Sequence, residues 1–217
     1  MRIHTLCFVA ALCAGALLLN AWAKPFTSDL NLATPRPGVP PVPLQFTVAD
    51  LLKHALDRNG QHWPRPAYEA AVEAVTEVAQ RRGFPPALIL SLIQEESRFQ
   101  LDAVSPAGAL GLTQVLPSTA AVVAQWEGLN PPSRADLFDP GLNIRLGFSF
   151  LSYLQDRYGS RETALAVYNG GPEILRLMEG GELPLASYRQ AIREGETNYA
   201  RWLKSPALLE PGRDPSP

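Results

Sequence analysis

Cysteine and histidine are scarce in this chain of 217 residues, which contains two cysteines and three histidines. Both cysteines, Cys7 and Cys13, lie within the first 23 residues. The remainder of the chain therefore cannot form a disulfide and must depend on its hydrophobic core. No cluster of cysteines and histidines is present that would hold a metal ion.

The chain also has no excess of positive charge and no clear pattern of β-strands. Its 19 lysines and arginines face 21 acidic residues, which gives a net charge of −2. Nucleic-acid binders are usually basic, so this balance argues against that class of protein. No segment alternates strongly between apolar and polar residues, and no internal repeat is evident, so the patterns favour an all-α fold.

No apolar run reaches the roughly 20 residues that a membrane-spanning helix needs. The longest, from about Leu6 to Leu19, follows Arg2 and precedes the sequence Ala-Trp-Ala at positions 21–23. A basic start, a short apolar run and small residues at the end are typical of an export signal. We therefore expect cleavage after Ala23, which would leave an exported, periplasmic chain without a stable membrane anchor.

Proline, by contrast, is abundant, with 21 residues concentrated near the two ends of the chain. Proline blocks both helices and strand ladders, so residues 24–45 are predicted to form an extended linker. Residues 46–64 are predicted to form a helical N-terminal extension, with Trp63 helping to dock it on the main body. The main domain is predicted at 65–204, followed by a disordered tail at 205–217.

Helical spacing of apolar residues extends through most of the predicted domain. Glycine is expected to end two of these helices, at Gly83 and Gly159. Pro85 and Pro86 are expected to open another helix, since proline is tolerated in a first turn. The last helix is predicted over the segment GETNYARWLK, which begins at Gly195.

Two adjacent glutamates, Glu95 and Glu96, stand at the end of the predicted helix LILSLIQEES. At about 100° per residue, Glu96 falls inside the apolar arc centred on Ile89, whereas Glu95 falls at its edge. A carboxylate on an apolar face must be paired, neutral or functional, because burial of a bare charge is costly. Helix geometry alone leaves two alternatives for Glu96, namely an ion pair with Arg98 or Arg145 and a general acid with a raised pKa.

Four sequence pieces, in order, resemble the lytic transglycosylases of the soluble-lytic-transglycosylase (SLT) type. They are EESRFQ, the following loop with GALGLTQ, the segment LFDPGLNIRLGFSFLSYL, and ALAVYNGGP. The resemblance extends from about Tyr68 to Leu203. It implies a compact, goose-type-lysozyme-like helical domain that acts on peptidoglycan.

The resemblance also implies roles for individual residues. The glutamate followed by serine is the family's catalytic acid, which is Glu96, and Ser97 is expected to lie near it. Tyr168 is expected to hold the acid and the substrate. The substrate contacts implied by the family motifs are Ser97, Thr113, Gln114, Tyr168, Asn169 and Tyr199.

Two positions depart from the family pattern. Thr113 replaces a methionine that usually walls the glycan cleft. Near the C-terminus the family has Glu-Thr-Arg-x-Tyr, whereas residues 196–200 read Glu-Thr-Asn-Tyr-Ala, so Asn198 replaces the arginine. These departures bear on substrate packing and leave the acid in place.

A second catalytic carboxylate, which most glycosidases need, is not evident in the motifs. The acidic residues after Glu96 have solvent or helix-capping explanations: Asp102, Glu127, Asp136 and Asp139. The resemblance implies a one-acid reaction without metal or organic cofactor, in which Glu96 protonates the bond between N-acetylmuramic acid and N-acetylglucosamine. Glu96 then removes a proton from the C6 hydroxyl, and a 1,6-anhydro end forms.

Two other functions remain open at this stage. A hydrolytic muramidase would share the fold but release a reducing muramic end. A non-catalytic scaffold would bind glycan strands without cutting them. The small exported domain with a proline spacer resembles enzymes that open the wall for a secretion, pilus or conjugation apparatus, for which the helix at 46–58 is a candidate docking element. A monomer is expected.

Overall fold

The computed structural model describes residues 47–171, 173–177 and 184–204. Within these ranges the chain is helical, and its only β-type pairings are isolated bridges that join Leu110 to Val104 and to Val115. The predicted export signal, proline linker and C-terminal tail lie outside the described residues. None of the described helices is both long and apolar enough to cross a bilayer. The helices are α1 Val48–Arg58, α2 Arg65–Arg82, α3 Pro86–Ser97, α4 Pro117–Trp126, α5 Pro140–Tyr158, α6 Arg161–Gly170, α7 Glu173–Leu177 and α8 Ala186–Lys204, with a 3₁₀ turn at Asp136–Phe138.

The helix ends follow the capping chemistry of the sequence. Thr47 and Asp50 form a reciprocal capping box at the start of α1. Gly83 and Gly159 adopt left-handed conformations at the ends of α2 and α5, as predicted. Asp139 accepts a hydrogen bond from the backbone N–H of Leu142 and caps α5. These local signals determine where the helices begin and end.

Helix α3 lies at the centre of the main hydrophobic cluster, against α1, α2 and most extensively α8. Every residue from Ala87 to Ile93 is buried, so α3 has no solvent face along this stretch. Ser91, the polar member of the stretch, donates its hydroxyl to the carbonyl of Ile192 at 2.6 Å. The helix is therefore more deeply enclosed than the apolar arc in the sequence indicated.

Helix α8 begins at Ala186, nine residues before the predicted start at Gly195. A Cβ at Gly195 would lie 2.3 Å from the Ser91 hydroxyl oxygen. The glycine that was read as a helix start is thus a point of close approach between α8 and α3. Glycine is needed at this position inside the helix, because a side chain there would push α8 and α3 apart.

A second, smaller hydrophobic cluster joins α4 to α5 and to the loop that follows α3. Phe150 on α5 packs against both clusters. The loop from Asp102 to Gln114 lies beside the C-terminal end of α3, where Glu96 is located. The fold thus brings the predicted acid and the predicted substrate loop together.

Candidate active site

Glu96 lies in the last turn of α3, and the residue as a whole is partly exposed although its carboxyl group is enclosed. The Tyr188 hydroxyl on α8 donates to Glu96 Oε1 at 2.5 Å. The side chain of Asn169 on α6 also hydrogen-bonds to the carboxyl group. Three helices therefore converge on one carboxyl group.

Burial raises the pKa of the Glu96 carboxyl from the ordinary 4.5 to about 7. The hydrogen bonds from Tyr188 and Asn169 favour the charged form and oppose this rise, whereas the charge of Glu95 adds to it. A carboxyl group with a pKa near neutral can both give and accept a proton at physiological pH. The environment therefore suits an acid–base catalyst.

The alternative of an ion pair with an arginine is not supported. Arg145 pairs instead with Glu73 and Glu77 on α2. Arg98 is exposed and caps α3, and no ion pair to Glu96 occurs among the described residues. Glu95 is exposed, as the helix geometry predicted.

Immediately after the Glu-Ser pair the backbone turns through two non-glycine residues with positive φ. Arg98 has φ 51° and Phe99 has φ 60°. Each left-handed residue of this kind costs on the order of 1–2 kcal/mol, so the turn must be held by its surroundings. Phe99 is fully buried, and the Trp63 indole N–H donates to its carbonyl at 2.9 Å. Ser97 donates its hydroxyl to the carbonyl of Ile93 at 3.1 Å, so it stabilises its own helix and shows no contact with the acid.

Asn143 on α5 fixes the loop beside the acid and is 0% exposed. Its side-chain oxygen accepts from the N–H of Thr113 at 2.8 Å and from the Thr113 hydroxyl at 2.8 Å. Its side-chain nitrogen donates to the carbonyls of Leu110 and Leu137 at 2.9 and 2.8 Å. All of the amide's hydrogen-bonding capacity is used within the fold.

Thr113 is also completely buried. A Cβ on Gly147 of α5 would lie 2.4 Å from the Thr113 hydroxyl oxygen, so the loop and the helix are in close contact there. This corrects the prediction that Thr113 binds substrate, because its side chain faces Asn143 and α5. The threonine fills space inside the fold, between the loop and α5.

Gln114 is partly exposed and has φ 49°. Its side-chain nitrogen donates to the carbonyls of Gly111 and Ala103 at 2.8 and 3.2 Å. The amide therefore stabilises the loop through its own backbone, and the contact of Gln114 with substrate stays a prediction.

The two remaining tyrosines predicted at the site have other partners. The Tyr168 hydroxyl donates to the carbonyl of Thr113 at 2.8 Å, so Tyr188, not Tyr168, donates to the acid. Tyr199 is 4% exposed and donates to Gln94 Oε1 at 2.5 Å. This corrects the prediction that Tyr199 binds substrate, since it joins α8 to α3 and has almost no surface to offer a ligand. Tyr199 also lies three positions after Glu196, whereas the tyrosine of the family pattern Glu-Thr-Arg-x-Tyr lies four positions after its glutamate.

The sequence motifs did not identify Tyr188. A signal was nevertheless present, because Tyr188, Ile192, Gly195, Tyr199 and Trp202 recur at helical spacing and form the buried face of α8. A buried tyrosine needs a hydrogen-bond partner for its hydroxyl. Burial and the neighbouring Glu96 raise the pKa of Tyr188 well above 10, so its hydroxyl remains a donor at neutral pH.

Asn169 combines two features at the site. Its side chain hydrogen-bonds to Glu96, as noted above, while its Oδ1 is buried without a hydrogen-bond partner. A buried acceptor without a partner is costly in the free protein. It is therefore suited to accept a hydrogen bond from an incoming ligand.

Of the four acidic residues considered after Glu96, three have structural roles and the fourth, Asp102, is exposed. Glu127 pairs with Arg82. Asp136 exchanges hydrogen bonds with Ser133, and Asp139 caps α5. Glu95 is the only carboxylate whose charge contributes to the raised pKa of Glu96.

Tyr188→Phe is expected to move the alkaline limb of the activity profile upward by about one to two pH units. The hydroxyl stabilises the ionised form of Glu96, and a hydrogen bond to a charged group contributes about 1.5–3 kcal/mol, where 1.36 kcal/mol corresponds to one pKa unit. Without it the pKa of Glu96 rises, and the acid stays protonated to higher pH. Rates of solubilisation of peptidoglycan, the substrate that the sequence resemblance predicts, would measure the shift between pH 4.5 and 9.

The matched control is Tyr199→Phe, which removes a hydroxyl that donates to Gln94 on the same helix. Its profile should follow that of the wild-type protein. An unchanged alkaline limb in Tyr188→Phe would contradict the assignment of Tyr188 to the acid.

Comparison with known proteins places the chain among peptidoglycan-related domains. The model of the transglycosylase SLT domain family matches residues 73–181, which is half of the chain. The chain is 37% identical, over 139 residues, to the membrane-bound lytic murein transglycosylase C of Histophilus somni, covering 59% of this chain and 36% of the relative. The corresponding protein of Yersinia pestis is 30% identical over 175 residues, with coverage of 76% and 47%. The chain thus spans less than half the length of these curated relatives.

Solved structures share the fold at lower identity. An inactive mutant of the lytic transglycosylase Slt from Pseudomonas aeruginosa superposes with a TM-score of 0.56 at 24% identity, covering 75% of this chain and 32% of the other. The 70 kDa soluble lytic transglycosylase from Escherichia coli gives a TM-score of 0.51 at 18% identity, with coverage of 77% and 33%. The predicted all-α, lysozyme-like fold is confirmed.

Proposed function

Because the chain belongs to the transglycosylase SLT domain family, we propose that it is a peptidoglycan lytic transglycosylase. It cleaves the β-1,4 bond between N-acetylmuramic acid and N-acetylglucosamine and leaves a 1,6-anhydro muramic end. One observation carries the proposal, namely the Glu96 carboxyl group in the last turn of α3, whose pKa burial raises to about 7. That pKa allows a single group to act first as an acid and then as a base.

In the first step, the protonated Glu96 gives its proton to the glycosidic oxygen. The bond to C1 of the muramic sugar breaks, and the leaving N-acetylglucosamine carries the proton away. Tyr188 and Asn169 stabilise the carboxylate that forms, because both hydrogen bonds favour the ionised state. The muramic N-acetyl group stabilises the positive charge that develops at C1.

In the second step, the ionised Glu96 accepts the proton of the C6 hydroxyl of the same muramic sugar. The C6 oxygen closes on C1, and Glu96 returns to its protonated form. Water is not consumed. The single-acid route is supported by the structural roles of three other carboxylates, since Glu127 forms an ion pair, Asp136 bonds to Ser133 and Asp139 caps α5.

Substrate contacts are proposed for three of the predicted residues. Asn169 offers its unpartnered Oδ1 to a donor on the sugar. Gln114 and Tyr168 are both partly exposed, and both adjoin Thr113: Gln114 follows it in the chain, and the Tyr168 hydroxyl donates to its carbonyl. Ser97, Thr113 and Tyr199 are buried, and their hydrogen bonds stabilise the helices and the loop around the site.

The cellular setting is proposed from the relatives, which are named as membrane-bound murein enzymes. We place the chain in the periplasm as a monomer that opens the wall locally for an envelope-spanning secretion, pilus or conjugation apparatus. Helix α1 is not available to dock such a partner through its apolar face, since Leu51, Leu52, Ala55 and Leu56 are buried in the main cluster. Docking at α1 is therefore proposed only for its exposed polar face, which includes Asp50, Lys53 and Asp57.

Digestion of purified peptidoglycan is expected to release muropeptides that end in 1,6-anhydro-N-acetylmuramic acid. A hydrolase adds water at the same bond, so its products would be heavier by one water and would carry a reducing end. Mass spectrometry of the soluble products, before and after borohydride reduction, separates the two. Reducing muramic ends would identify a muramidase, and intact sacculi would identify a glycan-binding scaffold.

A further inference from the structure

The N-terminal extension at residues 47–64 is hydrogen-bonded near Glu96 in two places, once directly after α3 and once through Tyr199 of α8. On one side, the Trp63 indole N–H donates to the carbonyl of Phe99, three residues after the acid. On the other side, Asn59 hydrogen-bonds to Tyr199, and the Tyr199 hydroxyl donates to Gln94, two residues before the acid. The extension precedes residues 73–181, the segment that matches the family model.

The contact from Trp63 is made to the most strained backbone near the acid. Arg98 and Phe99 both have positive φ, a conformation that residues with a Cβ rarely adopt. The Phe99 ring is fully buried, and its centroid lies 6.3 Å from that of Trp63. The indole thus contributes both a hydrogen-bond donor and an aromatic neighbour to one residue of the turn.

The rest of the extension is already fixed without this contact. The apolar face of α1 is buried in the main cluster, and the Tyr68 hydroxyl on α2 donates to the carbonyl of Ala49. His54 stacks on Trp202 with ring centroids 4.5 Å apart. The bond from Trp63 is therefore not needed to hold α1, and its acceptor lies instead at the end of the helix that carries the acid.

We propose that Trp63 is a positioning residue for the reaction, which rests on the proposed function of Glu96. By holding the left-handed turn at Arg98 and Phe99, Trp63 keeps the last turn of α3 closed and the Glu96 carboxyl against Tyr188 and Asn169. Without the indole N–H the Phe99 carbonyl loses its partner, and the turn relaxes towards ordinary backbone angles. The Glu96 carboxyl then moves towards water.

Trp63→Phe tests this inference because it keeps an aromatic ring and removes the N–H. We expect kcat to fall about five- to tenfold, because this is the effect of losing one hydrogen bond. KM should stay within about twofold of the wild-type value. The pKa of Glu96, followed by ¹³C NMR of labelled glutamate carboxyls, is expected to fall from about 7 towards 4.5 as the group gains water.

The matched control is Tyr68→Phe, which removes another side-chain donor that bonds to a backbone carbonyl of the same extension. It should leave kcat and the pKa of Glu96 unchanged. A second arm uses Arg98→Gly, since glycine adopts the left-handed conformation without strain. Adding Trp63→Phe to Arg98→Gly should reduce kcat less than adding it to the wild-type protein.

Equal losses of kcat in Trp63→Phe and Tyr68→Phe would overturn the proposal, as would an unchanged pKa of Glu96 in Trp63→Phe. If Trp63→Phe does not fold, Trp63→Leu supplies the same comparison, since leucine is also apolar and lacks the indole N–H, and an unchanged pKa of Glu96 in Trp63→Leu overturns the proposal. A wild-type protein that leaves peptidoglycan intact would refute the proposed function. The NMR titration would still test the positioning of Glu96 in that case.

Discussion

Glu96→Gln is expected to lower the rate of peptidoglycan solubilisation by about 10²–10⁴-fold, the usual contribution of a general acid. Glutamine has nearly the same shape and its side-chain oxygen can still accept from Tyr188. It cannot give a proton to the glycosidic oxygen or take one from the C6 hydroxyl. Release of soluble muropeptides from purified sacculi at pH 6–7 measures the effect.

Glu95→Gln is the control for this substitution. Glu95 is adjacent and exposed. Its charge makes the smallest of the contributions that shift the pKa of Glu96. We expect a rate within a few-fold of that of the wild-type protein. Glu96→Gln that degrades sacculi as fast as Glu95→Gln would refute the catalytic assignment.

Glu96→Gln should also stabilise the protein against unfolding at alkaline pH. The folded state raises the pKa of Glu96 from 4.5 to about 7, so its contribution to stability is full below pH 4.5 and is lost as the pH rises through 7. Above pH 7 the buried charge costs up to about 3 kcal/mol, a cost that glutamine does not have. The gain in melting temperature of Glu96→Gln over wild type should therefore be larger at pH 8 than at pH 5.

Asn143→Ala is expected to lower the free energy of unfolding by about 3–5 kcal/mol. The substitution removes the partner of three buried backbone groups, namely the N–H of Thr113 and the carbonyls of Leu110 and Leu137. Each buried polar group without a partner costs about 1–3 kcal/mol. Urea denaturation at pH 7 measures the change.

The matched control is Asn198→Ala, which removes the same amide from an exposed position on α8. Its free energy of unfolding should stay within about 0.5 kcal/mol of wild type. A loss below 1 kcal/mol in Asn143→Ala would show that the loop does not depend on this residue. Activity should fall together with stability, since the carbonyl of Thr113 accepts from Tyr168 beside the acid.

Local chemistry was the most predictable part of the fold. The left-handed glycines at Gly83 and Gly159 and the opening of α3 at Pro86 follow from backbone sterics within a few residues, which can be read from one sequence. The start of α8 could not be read in the same way. Gly195 resembles a boundary in isolation, and only the approach of Ser91 from α3 explains a glycine inside the helix.

The candidate site was predictable as far as single residues were concerned. Helix periodicity and the Glu-Ser motif both singled out Glu96. The groups that act on it come from distant parts of the chain, such as Tyr188, and no local pattern links them to the acid. The inward orientation of Thr113 likewise depends on Asn143, thirty positions away.

The full enclosure of α3 has a consequence for how this region can change over evolutionary time. From Ala87 to Ile93 no position faces water, so most replacements there would disturb packing whether or not the protein is catalytic. Selection for a folded chain and selection for an active enzyme therefore constrain neighbouring positions together. Glu96 differs from its neighbours in one respect, because a chain that did not use it as the proposed acid could replace it by glutamine and would gain stability above pH 7.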